Sequence, residues 1–465
     1  MKKLLTITVM TAAFIAVQKT DAQVAGTPYI VPQKKETSLP PEEVGDIGTS
    51  QYRWVGAFWK WNQKGERLIR FRNTGTWKAE VLNNNNGLNW IRLDKTMTSD
   101  PNVGWRTGAN EAQVVSGNDA GFENAYPVNS TLTTVTGNGN IYFRIGLTGS
   151  APGGSDDHRY GVVQLTISNN DIHYIYIRQG EAADVLYPNR IPTPSAAFSA
   201  YNVTAPNLGN GGTNLANHPV LSQAGVFTAY PSQAGAYFIW NDTRAFHPTN
   251  PGGGAGGITG WPTTYASTWN TNNDVCPSGY RVPVDGPLPP SGGQEYDGNN
   301  PNQSEMRQSL YAVPKVGDGV DYSSFTYGYY ADGFFDRRKI VSYGGSGAPV
   351  AVSTVANSIN NVNNTNIAYA GVLFFNPTTY ASLFFPAAGD RVGTSSSNGA
   401  LAGTGNIGYY WSRTTDQNQG GTSNPNAWIM YPTGNGATSG AQVSQHSADK
   451  HYGASLRCVV GSKTP

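Results

Sequence analysis

Gly408-Tyr409-Tyr410-Trp411-Ser412-Arg413, followed by Trp428 and then by Ser455-Leu456-Arg457-Cys458-Val459-Val460, sets the reading of this chain. Far upstream, Val275-Cys276-Pro277-Ser278-Gly279-Tyr280-Arg281-Val282-Pro283 holds the other of its two cysteines. Each cysteine lies beside residues that read as strand. A disulfide between Cys276 and Cys458 closes a loop of about 180 residues, worth ~5 kcal/mol in the chain-entropy description, less any strain. The staple is read as structural, because neither thiol has the electropositive setting of a redox cysteine. A module tied at its ends and variable in its middle suits recognition more than catalysis.

Working outward, composition narrows the fold class. The 465 residues include 11 Trp and 26 Tyr, enough to build cores, yet 56 are Gly and charged residues make up only 13%. That mixture describes turn-rich β and irregular structure, not helix bundles. The formal net charge is +1, and no basic stripe exists to collect phosphates, which argues against nucleic acid as a partner.

The first 22 residues read as an export signal. Lys2 and Lys3 precede an apolar run from Leu4 to Val17, and Ala22 offers a small residue before Gln23. No cysteine directly follows that run, so lipid attachment at a mature N-terminal Cys is not expected. No later apolar stretch is long enough to span a bilayer as a helix. The expected location is extracellular or on the outer-membrane surface, and such an oxidising setting favours pairing of the two cysteines.

Residues 23–50, with Pro40-Pro41 and no periodicity, read as an extended tether. Alternation begins after it. Trp77, Ala79 and Val81 fall on one side of a strand and Lys78 and Glu80 on the other; Ile141, Phe143 and Ile145 repeat the pattern, as do Val163, Leu165 and Ile167. A further strand runs from Ile172 to Arg178. Turn clusters such as Asn83-Asn84-Asn85-Asn86-Gly87 and Thr136-Gly137-Asn138-Gly139-Asn140 separate them, which predicts an antiparallel sandwich over 51–190. The strand patterns Thr76-Trp77-Lys78-Ala79-Glu80-Val81, Trp90-Ile91-Arg92-Leu93, Gly161-Val162-Val163-Gln164-Leu165-Thr166-Ile167 and Ile175-Tyr176-Ile177-Arg178-Gln179-Gly180 resemble the BACON-type immunoglobulin-like domain of Bacteroidetes surface proteins. The resemblance implies a spacer more than a binding role. A long insertion around Gly104 to Asn129 departs from the compact pattern of that family.

Ile191-Pro192-Thr193-Pro194-Ser195 marks a boundary, and 191–465 reads as one larger unit. Its phrases come in a specific order: a strand ending Tyr237-Phe238-Ile239-Trp240, the Cys-Pro-Ser-Gly-Tyr-Arg-Val-Pro turn, Phe384-Phe385-Pro386-Ala387-Ala388-Gly389, Tyr410-Trp411-Ser412-Arg413-Thr414, and Leu456-Arg457-Cys458-Val459. Ser304 to Leu310 is its best helix candidate. Residues 285–303 read as a surface loop, and Ala351 to Asn366 as an exposed section. The ordered phrases resemble the Fibrobacter succinogenes major paralogous domain, similar in layout to C-type-lectin-like folds. The implied fold is mostly β, an immunoglobulin-like sandwich followed by an α+β C-type-lectin-like domain with long loops.

Catalytic templates find little purchase. Beyond residue 190 the only glutamates are Glu295 and Glu305, so the paired carboxylates of a glycosidase are not apparent. No Gly-x-Ser-x-Gly occurs, and His446 and His451 lie in a polar stretch without a metal-binding pattern. Trp240-Asn241-Asp242 spells a tripeptide that ligates Ca²⁺ in sugar-binding C-type lectins, but it precedes both cysteines and has no companion motif; coincidence is the better reading, and no cofactor or metal is expected. What remains is aromatic and polar. Tyr327, Tyr329, Tyr330, Phe334 and Phe335 crowd one segment. Tyr409, Arg413, Asp416, Asn418, Asn424, Asn426, His451 and Tyr452 lie in or beside loops of the terminal strands and are the candidate ligand-binding residues, while Trp411 and Trp428 are expected to fill the core. The expected function is that of an adhesin-like, non-enzymatic protein recognising a glycan or a surface protein; a structural subunit of a surface assembly, such as a fimbrial tip or matrix protein, is the alternative, and polysaccharide hydrolysis a distant third.

Overall fold

The computed structural model describes residues 56–62, 67–71, 75–82, 90–95, 130–139, 141–167, 171–188, 196–206, 208, 213–222, 225–228, 231, 233–248, 257–266, 268–285, 304–311, 328–332, 341–342, 349–350, 370–393, 398–403, 407–416, 426–433 and 442–463. The export signal at 1–22, the tether at 23–50, the insertion from Gly104 to Asn129, the section from Ala351 to Asn366 and all but the first residue of the loop expected at 285–303 lie outside the described residues; Asp285 itself is buried and bridged to Ser304, not on a surface loop.

The protein is mostly β. Among the described residues, eight strands occupy the first part: β1 (Gly56–Trp59), β2 (Arg67–Phe71), β3 (Thr76–Leu82), β4 (Ile91–Asp94), β5 (Thr134–Asn138), β6 (Ile141–Leu147), β7 (Arg159–Ile167) and β8 (Asp171–Gln179). They form one sheet ordered β1-β8-β7-β3-β5 and a second ordered β2-β6-β4. All neighbours pair antiparallel except β1, which runs parallel to β8. Alternation drives the pairing: in β3, Trp77 and Ala79 are buried while Thr76 and Lys78 are exposed. The two sheets meet face to face. Trp77 of β3 packs on Phe143 of β6 with ring centroids 5.9 Å apart, and Gly161 of β7 lies so close to Ile91 of β4 that a side chain there would collide with it.

The second part holds β9 (Val203–Thr204), β10 (Val226–Phe227), β11 (Tyr237–Ile239), β12 (Ala245–Phe246), β13 (Tyr280–Arg281), β14 (Gly328–Asp332), β15 (Val341–Ser342), β16 (Pro349–Val350) and β17 (Ala370–Phe375). It continues with β18 (Ser382–Pro386), β19 (Asp390–Val392), β20 (Ala400–Ala402), β21 (Tyr410–Thr415), β22 (Asn426–Thr433), β23 (Gln442–Asp449), β24 (Gly453–Ala454) and β25 (Val459–Val460). Its largest sheet is ordered β12-β11-β24-β19-β20, and three-stranded sheets β14-β17-β18 and β21-β22-β23 accompany it. Elements far apart in sequence therefore lie side by side.

The expected staple is present. Cys276 and Cys458 form a disulfide with Cα atoms 6.0 Å apart, and β13 and β25 beside them pair antiparallel, Tyr280 opposite Val460 and Arg281 opposite Val459. Local chemistry shapes the upstream half. Asp274 accepts the N–H of Cys276 and of Val282, each at 2.9 Å, which folds the phrase over its own carboxylate. Gly279 supplies a left-handed φ of 81° at the tip of the turn. Helix α1 (Glu305–Leu310) starts at Ser304, whose Oγ accepts the Arg307 N–H at 3.1 Å, as an N-cap does. Glu305 then takes both terminal nitrogens of Arg281 and the N–H of Val284, joining the helix to the cysteine turn.

One hydrophobic cluster runs through both sheets of the first part and continues into β17, β18 and β21. Tyr176 packs against Phe375 in a tilted pair with ring centroids 4.3 Å apart, and Phe58 meets Tyr201 edge-on at 5.8 Å. The chain flanking residues 189–195 is held on both sides. Asp184 and Phe198 exchange two backbone bonds of 2.8 Å, while Ser199 and Val203 donate to the carbonyls of Cys458 and Leu456. The segment expected as a boundary is thus bordered by a strap bonded to the last strand.

Candidate functional site

Of the candidate binding residues, His451 and Tyr452 lie in the turn that carries the chain from β23 into β24. That turn is fixed by one side chain. Asp449 Oδ1 accepts the His451 N–H at 2.9 Å and faces His451 Nδ1 at 2.7 Å; a carboxylate only accepts, so Nδ1 carries the proton. The Asp449 carbonyl takes the Tyr452 N–H at 2.9 Å, and the His451 carbonyl takes the Trp261 indole at 3.1 Å. Gly393 lies against the His451 backbone with no room for a side chain, so the turn is clamped from beneath.

Aromatic groups wall this turn. Tyr265 meets the His451 ring edge-on at 4.9 Å. The ammonium of Lys450, itself fully buried, sits 4.3 Å from the centre of the Trp240 ring and 5.7 Å from that of Tyr265. Trp240 packs against Trp269 at 5.2 Å and donates its indole N–H to the Ser412 carbonyl at 3.0 Å. Tyr452 is half-buried; its phenol is pushed up by desolvation and further by the nearby carboxylates of Asp390 and Asp449. Asp390 is almost wholly buried, and desolvation pushes its carboxyl up to about 7.

The Trp240-Asn241-Asp242 tripeptide has a local role here. Asn241 adopts a left-handed φ of 60° and is buried. Its Nδ2 donates to Thr268 O, its Oδ1 accepts from Asn270 N, and its carbonyl accepts from Asn273 Nδ2, all at 2.8–2.9 Å. Asp242 Oδ1 accepts the Arg244 N–H at 2.7 Å. These bonds hold the loop that presents Tyr265 and Trp269. Among the described residues no group of three or more His, Cys, Asp and Glu could hold a metal ion.

The other candidates are spread. Asn426 begins β22 directly opposite Asp449 of β23 and is half-buried. Tyr409 is half-buried at the rim of the second core cluster, and its carbonyl takes the Ser455 N–H. Arg413 and Asp416, read from the sequence as loop-face residues, are only 4% and 1% exposed: all six residues of β21, Arg413 among them, are buried, and Asp416, just past its end, donates its N–H to the Asn426 carbonyl. A surface ligand does not reach them. Asn418 and Asn424 lie outside the described residues, as do Tyr327, Phe334 and Phe335; Tyr329 and Tyr330 lie in β14, paired with Leu373 and Val372. Trp411 fills the core as expected, with its indole N–H on the Phe238 carbonyl. Trp428 lies in β22, opposite Ser447 of β23. Sequence reasoning missed Tyr265, Asp390 and Asp449. Only the polar phrase Asp449-Lys450-His451-Tyr452 between two strands hinted at them.

No protein-family profile and no curated protein matches the chain. Among solved structures it is similar to a Bacteroides ovatus GH5 xyloglucanase in complex with a XXXG heptasaccharide, at 10% identity and a TM-score of 0.17, over 41% of this chain and 28% of that one. A likeness that low carries no argument. The class that the molecule itself defines is a mostly β protein closed by a disulfide, and no helix among the described residues is long and apolar enough to cross a membrane.

Proposed function

We propose that this is an exported surface protein that binds a glycan or a protein partner without turning it over. In this reading the first part is an immunoglobulin-like sandwich, residues 191–465 form a C-type-lectin-like head, and the site lies around the Asp449–Tyr452 turn. The observation that carries it is the clamped turn itself: a part-exposed carboxylate, 39% accessible, flanked by the half-buried rings of Tyr452 and Tyr265. Aromatic faces add contact area at low entropy cost, and a carboxylate accepts hydroxyl or amide hydrogens beside them. The Asp449–His451 pair orients the turn.

The test is glycan-array and pull-down binding by the full chain, repeated with Tyr452→Ala and Asp449→Asn. Tyr452→Ala is expected to weaken binding at least about tenfold, the size of a central aromatic anchor, with the circular-dichroism spectrum unchanged. Undiminished binding by both folded variants would remove the site from this turn.

A further inference from the structure

Among the described residues β1 and β8 form a parallel ladder while the other strand ladders run antiparallel, parallel pairing elsewhere being limited to isolated bridges. Its register places Gly56 opposite Tyr176 and Trp59 opposite Gln179. The chain before β1 enters at the Gly56 end. The chain after β8 leaves at the Gln179 end. We infer that β1 and β8 form a mechanical clamp: tension between the N-terminal side of the chain and the rest of the molecule loads this strand pair in shear.

The argument is geometric. When two parallel strands are pulled from opposite ends, the bonds between them are strained together and must fail together. When they are pulled from the same end, the bonds open one at a time. In a parallel ladder alternate residues direct both N–H and C=O to one neighbour. The Trp59 carbonyl accepts the Gly180 N–H at 2.9 Å, so Trp59, and by alternation Ala57, are the residues that face β8. Packing adds resistance along the same axis. Phe58 and Trp59 are buried, and sliding β1 drags the Phe58 ring across Tyr201.

The far side of the clamp is tied to the remainder of the molecule. Arg178 of β8 donates to Asp184 at 2.9 Å and to the Ser382 carbonyl at 3.1 Å. Asp184 is bridged to Phe198, and Ser199 donates to the Cys458 carbonyl, next to the disulfide. Load entering at Gly56 therefore passes through β8 and the hydrogen-bonded strap toward the disulfide, with the β1–β8 ladder as the first non-covalent step on that path. This inference goes beyond the binding reading and does not need it.

Single-molecule force spectroscopy on the full chain tests it in two attachment geometries, both with the second handle at the C-terminus. In the first, the other handle is at the N-terminus and loads β1 in shear. In the second, it is on Asn62→Cys, an exposed position just past Trp59, which opens the pair from its Gln179 end. Forced unfolding follows the unfolding barrier along the direction of pull. The expected result is a high-force peak in the first geometry that is absent in the second, and that Ala57→Pro removes from the first. Equal peaks in the two geometries, measured on the otherwise unaltered protein, would overturn the inference even if Ala57→Pro fails to fold. Neither readout involves a ligand, so failure here and failure of the binding reading are separate results.

Discussion

Burying a guanidinium is costly unless its N–H groups are met, and Arg178 meets that condition. At 2% exposure it donates to Asp184, to the carbonyls of Gly180, Ala182 and Ser382, and to the Tyr160 hydroxyl. Burial lowers its pKa to about 10, which leaves it charged at neutral pH. Arg178→Met is expected to cost about 3–5 kcal/mol, because it strands both Asp184, whose carboxyl burial already pushes up to about 7, and the carbonyls of Gly180, Ala182 and Ser382; urea denaturation measures it, and adding Asp184→Asn is expected to restore part of the loss. Asp390 makes a pH prediction. Among the described residues no cation pairs with it, and burial pushes its carboxyl up to about 7 from an ordinary 3.8. The fold therefore favours the protonated form. Its contribution is fully present below about 3.8 and is lost as pH rises through about 7. Relative to Asp390→Asn, the unaltered protein is expected to lose stability between those limits and to run parallel to the variant above them, in urea midpoints taken across pH. Neither role was legible in the sequence. An aspartate reads as a solvated turn residue until the strands above and below it are known.

Local elements were the legible scale. The short helix at the Ser304 to Leu310 candidate, the Trp77/Ala79 alternation and the turn through Gly279 each depend on a few adjacent residues, and each occurs where the sequence put it. β21 shows the opposite case. Tyr410 to Thr415 is buried throughout, so the alternation rule that separates inside from outside had nothing to act on, and Arg413 passed for a surface residue. The disulfide joins elements 182 residues apart. Replacing both cysteines with serine is expected to cost up to about 5 kcal/mol by releasing the unfolded chain from that loop. Thermal unfolding of the oxidised and the serine forms gives the comparison, and equal midpoints would assign the pairing of β13 with β25 to packing alone.

At the scale of the molecule, the sandwich and the remainder share one core. Tyr176 lies on Phe375, the Tyr187 hydroxyl donates to the Phe375 carbonyl, and Asn376 donates to the carbonyl of Leu186. Residues of both parts that bury each other lose their partners together. A single calorimetric transition is therefore expected for the full chain, with calorimetric and van't Hoff enthalpies in agreement; two resolved transitions would show that the shared cluster does not couple the parts. The Pro-containing stretch at 191–195 suggested separable units because proline and turn residues mark boundaries in sequence. The bonds from Ser199, Val203 and Val460 that tie the strap to the last strand carry no such mark.

The sequence by itself determined the β class, the strand patterns of the first part, the short helix and the pairing of the two cysteines. Each is written in the spacing of neighbouring residues or in the count of a rare one. Tertiary structure alone decided that β1 runs parallel to β8, that Arg413 is interior, and that Tyr265 and Asp390 stand beside the Asp449–Tyr452 turn. Those facts depend on which strands stack, and contacts between segments far apart in the chain leave no periodicity for a single sequence to display.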